Sequence, residues 1–270
     1  LFKVIIKTNK RILLCMGKGL SQEKISNRPK KTRNTKGTFP RGVKTGMEQE
    51  ALIVTIDGPA GSGKSTVSRR VADALGFSYL DTGAMYRAVA LAAKWKEIRI
   101  DDGAALGALC RELDLRFVPG GDMNRVFLGE EDVGLKIRTP EMDMLSSSVS
   151  AVPEVRKAMT ELQRRMGREG RVVAEGRDMG TVVFPGAPYK FFLTAAKETR
   201  AGRRYRERIE RGENVVMARV EEDLENRDRQ DGSRALAPLK PAEDAVVIDT
   251  THLTEEQVVS RILGEINPEG

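Results

Sequence analysis

Histidine is nearly absent from this 270-residue sequence, with His252 the only one. Histidine-cluster metal sites are thereby excluded, and any Ser-His or Cys-His chemistry would rest on that single residue. Cysteine is almost as scarce. Cys15 and Cys110 stand alone, too few for a disulfide scaffold or a four-cysteine zinc site, and they suit a reducing, cytoplasmic setting. No apolar run approaches the ~18 residues of a membrane span, so no membrane partner is expected. Hydrophobic residues still make up 40% and charged residues 31%, enough to bury a core and to rule out disorder throughout.

Acidic charge is missing from one end. Residues 1–46 hold 13 Lys/Arg against Glu23 alone, a balance of +12, while the other 224 residues carry −5. The net charge of +7 therefore does not describe the main body, and a nucleic-acid partner is not expected for it. The leader lacks the unbroken apolar stretch of ~7–15 residues that a secretory signal needs. It reads as a disordered tail or an upstream over-extension of the reading frame, since Met47 stands five residues before a strong strand. A basic nucleic-acid arm and an organelle transit peptide are the alternatives. The expected division is a leader over 1–46 and a folded unit over 47–270.

Leu52-Ile53-Val54-Thr55-Ile56 is apolar and β-branched, the pattern of a buried parallel strand. It runs into Gly58-Pro59-Ala60-Gly61-Ser62-Gly63-Lys64-Ser65, with Thr66 beginning a helical stretch that Gly76 stops. The spacing fits the G-x-x-x-x-G-K-[ST] phosphate loop. Glycines let successive backbone N–H groups face one anion. Lys64 reaches the β- and γ-phosphates, and the Ser65 hydroxyl can ligate Mg²⁺. Gly58 to Thr66 are thus the expected donor-nucleotide residues, implying ATP and Mg²⁺.

Several classes share that loop. A guanine-reading Asn-Lys-x-Asp motif is missing, which argues against a GTPase. Arg171-Val172-Val173-Ala174-Glu175 is the nearest approach to a strand ending in a metal-holding acid, and Gly176-Arg177-Asp178 follows at once. Arginines recur at Arg87, Arg156, Arg177, Arg227, Arg229 and Arg234. Their planar, permanently charged forks suit phosphate binding. A small-molecule kinase needs such groups, because it joins two anionic substrates and stabilises a phosphoryl group in transit.

Five apolar runs, at 52–56, 77–80, 171–174, 190–193 and 245–248, separated by helical stretches, predict a parallel five-stranded α/β sheet flanked by helices. Between 113 and 133 the alternation breaks into a small antiparallel meander. Residues 200–226 read as two charged helices, and Gln230-Asp231-Gly232-Ser233 as a short mobile lid. Thr254 to Gln257 is a capping box.

The sequence resembles the bacterial-type cytidylate kinase family of phosphate-loop nucleoside monophosphate kinases. The matching stretches are Ile56-Asp57-Gly58-Pro59 with the loop, Leu80-Asp81-Thr82-Gly83-Ala84-Met85-Tyr86-Arg87, Gly176 through Pro185, and Arg227-Asp228-Arg229-Gln230-Asp231 through Leu239. The likeness runs from about Leu52 to Leu263. It implies transfer of the γ-phosphate of ATP to CMP or dCMP, by a monomer acting on free nucleotides. It also implies a monophosphate-binding insert over about 113–150 and a lid over about 227–236.

Carried over residue by residue, the resemblance makes Arg87 and Arg177 the clamp on the acceptor phosphate. Thr82, Ser147, Arg156 and Asp178 line the cytosine pocket. Arg227 and Asp231 contact the ribose hydroxyls, and Arg234 closes over the phosphates. Lys64, Arg87, Arg177, Arg227 and Arg234 form the catalytic set. A carboxylate facing an exocyclic amine, with a donor facing the ring nitrogen and carbonyl, reads cytosine; uracil presents the opposite pattern. Ser147 is one of three consecutive serines, so its register is open by one position. Asp178 could instead pair with a neighbouring arginine. If it serves the ligand, removing it should cost activity rather than stability. No general base is required, because a monophosphate with a second pKa near 6 is largely a dianion at neutral pH. Two positions depart from the family's common pattern: Glu175 stands where Asp is frequent, and Thr82 where some members carry Ser.

Overall fold

The structure is a computed structural model that describes residues 52–118, 124–168, 170–234 and 236–267, with the backbone of 4–8 and 11–15. In chain order, β1 (Val4–Thr8) and β2 (Arg11–Cys15) come first. Next, β3 (Ile53–Asp57) leads into α1 (Lys64–Leu75), and β4 (Ser78–Asp81) into α2 (Thr82–Trp95) and α3 (Gly103–Glu112). Three short strands follow, β5 (Leu115–Val118), β6 (Arg125–Leu128) and β7 (Glu131–Asp132), then α4 (Pro140–Val149) and α5 (Pro153–Gly167). A π-type turn, Met179–Val183, succeeds β8 (Val172–Gly176). The chain continues through β9 (Tyr189–Thr194), α6 (Lys197–Glu210), α7 (Met217–Ser233), β10 (Val246–Asp249) and α8 (Glu255–Ile266).

The large sheet has the order β10-β9-β3-β8-β4, with every pairing parallel. All five expected runs became its strands. β3 and β8 are buried along their whole length, which is why they read as unbroken apolar runs. Alternation still sorts the side chains: Val172 and Ala174 join the core under α2 and α5, while Val173 faces the core under α1 and α8. Gly76 ends α1 in the left-handed conformation, and the capping box at Thr254 and Gln257 opens α8. No helix among the described residues is long and apolar enough to cross a membrane.

The small sheet contains the expected antiparallel meander, β5-β6-β7, with Leu115, Phe117 and Val126 turned into the core. It also holds a feature the sequence reading did not expect. β1 and β2 pair as an antiparallel hairpin, and β1 lies parallel to β5 with Ile6 opposite Phe117. Val4-Ile5-Ile6 and Ile12-Leu13-Leu14 are β-branched or apolar, so an open sheet edge gives them a partner. The rest of 1–46 lies outside the described residues.

The stretch expected to form a mobile lid is helical as far as Ser233, with Arg234 as the C-cap. Asp231 explains the continuity. It is buried and pairs with Arg177 and Arg234, which ties the last turns of α7 to the body.

Candidate active site

The loop after β3 sits at the carboxyl edge of the sheet, where strands part to both sides and ligands bind in such folds. Two glycines there have no substitute. Gly58 has φ +145°, and a Cβ would lie 2.0 Å from the carbonyl oxygen of Leu193. Gly61 has φ +75°, and its Cβ would fall 2.9 Å from the Arg200 carbonyl oxygen. The loop is thus pressed against β9 and α6 and shaped by them. Gly63, at φ 87°, ends the loop and is the N-cap of α1, whose positive end faces the space above.

Lys64 is buried, and its ammonium donates to the Pro59 carbonyl at 2.6 Å and to Ser62 Oγ at 3.4 Å. Burial, reinforced by Arg177 and Arg227, lowers it to about 7. Asp57, at the end of β3, accepts from the backbone N–H of Met179 at 2.9 Å and of Gly180 at 2.8 Å. Burial pushes its carboxyl up to about 7 despite those two bonds. Asp57 thereby staples the phosphate loop to the turn that carries Arg177 and Asp178.

Ser65 Oγ donates to Glu175 Oε1 at 2.7 Å, and the Tyr79 hydroxyl donates to Glu175 Oε2. Thr82 Oγ1 donates to the Glu175 carbonyl at 2.6 Å. Mg²⁺ takes hard oxygens, needing only one or two from protein beside phosphate and water. The hydroxyl of Ser65 and the carboxylate of Glu175 make such a donor set, and the longer glutamate arm still reaches the serine. Among the described residues no group of three or more His, Cys, Asp or Glu could hold a metal ion, so a metal here would depend on substrate phosphates.

The loop opens onto a cleft of about 710 Å³. Every residue expected from Thr82 to Arg234 lines it: Thr82, Arg87, Ser147, Arg156, Arg177, Asp178, Arg227, Asp231 and Arg234. Arg156 and Asp178 form a buried ion pair through Nη2 and Oδ2, and Arg156 Nη1 donates to the Ser150 carbonyl at 3.2 Å. Burial raises the Asp178 carboxyl, and Arg156 offsets part of that. Arg177 Nε donates to Asp231 Oδ2 at 2.8 Å. Arg234 Nη2 donates to Asp231 Oδ1 and, at 2.8 Å, to Ser150 Oγ. Burial raises Asp231, but Arg177, Arg234 and Arg227 together hold it below the ordinary carboxylate range. Burial, then Arg177 and Arg87, push the Arg227 guanidinium well down. Of the three serines, only Ser147 reaches beyond its own helix, 3.4 Å from Asp231 Oδ1; Ser146 and Ser148 bond the Asp143 and Met144 carbonyls. His252 is exposed and is not among the residues that line the cleft.

Sequence reasoning missed four residues here. Tyr79 reads as a strand aromatic, and Asp57 as a strand end beside the loop. Asp143 and Arg204 carry no motif, yet Asp143 receives Arg87 Nε at 2.8 Å, Arg204 Nη2, and Arg227 Nη1 at 3.4 Å.

The family model described as cytidylate kinase matches residues 54–268. A cytidylate kinase from Citrifermentans bemidjiense is 50% identical over 213 residues, covering 79% of this chain and 91% of its own. One from Syntrophotalea carbinolica is 51% identical over 212 residues, covering 78% and 90%. One from Methylococcus capsulatus is 46% identical over 221 residues, covering 82% and 99%. Likeness at about half identity, running from the phosphate-loop strand through the last helix, places this chain in the cytidylate kinase family.

Proposed function

We propose that this chain transfers the γ-phosphoryl group of ATP to CMP or dCMP, giving ADP and CDP or dCDP. The observation that carries the reading is the cleft itself. It joins a phosphate loop, with Lys64 and Ser65, to an arginine-lined acceptor side that ends in the Arg156–Asp178 pair.

The donor phosphates lie on Gly58 to Thr66, with Lys64 neutralising charge on the transferring group. Ser65 and Glu175 would hold Mg²⁺, which would supply further charge neutralisation at the donor phosphates. Arg87 and Arg177 orient the acceptor phosphate. No base is needed, since the acceptor is already a dianion, and catalysis is alignment with charge stabilisation. Asp178 accepts from the cytosine amine and Arg156 donates toward the ring nitrogen and carbonyl. Thr82 and Ser147 complete that pocket, Arg227 and Asp231 meet the ribose, and Arg234 closes the acceptor side.

The catalytic unit is 47–270, which the match over 54–268 supports. It works as a cytoplasmic monomer on free nucleotides. The test is ADP release coupled to a spectroscopic readout, with ATP and each nucleoside monophosphate in turn. CMP and dCMP should exceed UMP and AMP in kcat/KM. Equal rates on all four would overturn the reading.

A further inference from the structure

One buried carboxylate has no place in the scheme above. Asp143 lies in the first turn of α4, behind the N-cap Thr139 and Pro140. An acidic residue there ordinarily answers the helix dipole from the surface. Asp143 is instead only 8% exposed, and three arginines converge on it from three other helices. Arg87 comes from α2, Arg204 from α6 and Arg227 from α7. Asp143, Arg87, Arg204 and Arg227 all line the cleft.

The manner of attachment matters more than the number. Asp143 takes Arg87 by Nε at 2.8 Å, the inner nitrogen of the fork rather than a terminal one. The other proposed clamp arginine is held the same way: Asp231 takes Arg177 by Nε at 2.8 Å. Glu207 pairs with Arg204 Nη1 at 2.6 Å, so three guanidinium cations and two carboxylates leave a charge of about +1, which favours an anionic phosphate.

We propose that Asp143 is a positioning residue for the acceptor site, gathering Arg87, Arg204 and Arg227 and presenting the free end of Arg87 to the incoming phosphate. The proposal rests on Arg87 being part of the acceptor clamp. It predicts that without Asp143 the three arginines repel one another and the clamp loosens before any nucleotide arrives. An external dianion should then take over the gathering role.

The test pairs kinetics with thermal melting in the nucleotide-free protein. In Asp143→Asn, kcat/KM for CMP should fall about tenfold or more, because misplaced groups lose alignment, while KM for ATP stays within about twofold. Sulfate at tens of millimolar should raise the melting temperature of Asp143→Asn more than that of the wild type. The phosphate loop can bind sulfate in both proteins, so the difference isolates the arginine cluster. Asp143→Glu, which keeps the charge, should recover most of the melting temperature and part of kcat/KM. Equal sulfate responses, or ATP and CMP constants moving together, would overturn the proposal. So would Asp143→Glu doing no better than Asp143→Asn. If Asp143→Asn does not fold without sulfate, sulfate should restore it; failure to do so, with Asp143→Glu equally unfolded, also overturns the proposal. A wild type inactive on CMP would sink the acceptor-site reading and leave the sulfate comparison to judge the cluster on its own.

Discussion

Asp178 is both half of a buried ion pair and the proposed reader of cytosine, and substitution can separate the two roles. Asp178→Asn keeps the shape, removes the charge, and turns part of the group into a donor. Arg156 is left with the Ser150 carbonyl at 3.2 Å and the ring of Tyr86 at 5.8 Å. Breaking one side of a buried pair costs about 3–5 kcal/mol. At about 2–4 °C per kcal/mol for a domain of this size, melting should fall by about 6–20 °C. The sequence reading left two roles open for Asp178, ligand reader or arginine partner, and expected little change in stability only for the first; the ion pair with Arg156 joins the two. Recognition adds a second loss. A buried hydrogen bond left unmade costs about 1–3 kcal/mol, so the CMP/UMP ratio of kcat/KM should shrink about tenfold or more. Replacing both partners, Arg156→Met with Asp178→Leu, supplies the control. Apolar replacement of a whole buried pair is often neutral or stabilising, so the double variant should regain melting temperature and still fail to prefer CMP. The assay is ADP release with CMP and UMP beside differential scanning fluorimetry. A double variant that keeps its CMP preference would refute the assignment of the pair as the base reader.

Lys64→Ala should cut turnover by orders of magnitude while CMP affinity in calorimetry stays largely intact, since Lys64 belongs to the donor loop; equal loss of CMP affinity would contradict that. Burial lifts the Asp57 carboxyl to about 7, above its unfolded value of about 4. The folded state therefore keeps a proton the unfolded chain has released, and the associated stability is lost as pH rises through 7. The melting difference, wild type minus Asp57→Asn, should fall between pH 4 and 7 and level off beyond; a rising difference refutes it. A chain beginning at Met47 should keep its turnover, because the family match begins at residue 54; loss of most activity would show that β1 and β2 support the site.

The large sheet was legible because its strands are buried on both faces, which leaves unbroken β-branched runs such as Ile53 to Ile56 and Val172 to Ala174. The donor loop was legible because Gly58, pressed against the Leu193 carbonyl where only glycine fits, is followed at the motif's spacing by Gly63, Lys64 and Ser65. That the residues proposed for the acceptor side share one cleft was expected only through resemblance, since isolated arginines carry no local signature. Asp143 and Arg204 escaped because their meaning is tertiary: they stand 61 positions apart and meet only when α4 and α6 pack into the cleft wall. The stretch read as a lid looks like a turn in sequence because of Gly232 and Ser233, yet it is helical to Ser233, where buried Asp231 anchors the helix through two arginines. The leader strands were lost in a segment dominated by its charge.

Scarce histidine and abundant arginine answer one requirement. A dianionic acceptor needs no base, but it does need fixed positive charge at a set place. Such charge is unfavourable in a buried site, as the lowered Lys64 and Arg227 show. A carboxylate placed among the cations offsets the cost. A carboxylate that gripped the whole guanidinium fork, however, would withhold it from the substrate. Attachment through Nε meets both demands. Asp231 and Asp143 each hold one arginine by that nitrogen at 2.8 Å; Arg177 Nη1 also reaches the Gly176 carbonyl at 3.3 Å, and in the proposed scheme the remaining terminal nitrogens meet the phosphate. Lysine has no equivalent, because its ammonium is a single point with no separate inner and outer donors. The choice of arginine at both positions therefore follows from the geometry of the backing carboxylates as much as from the phosphate itself.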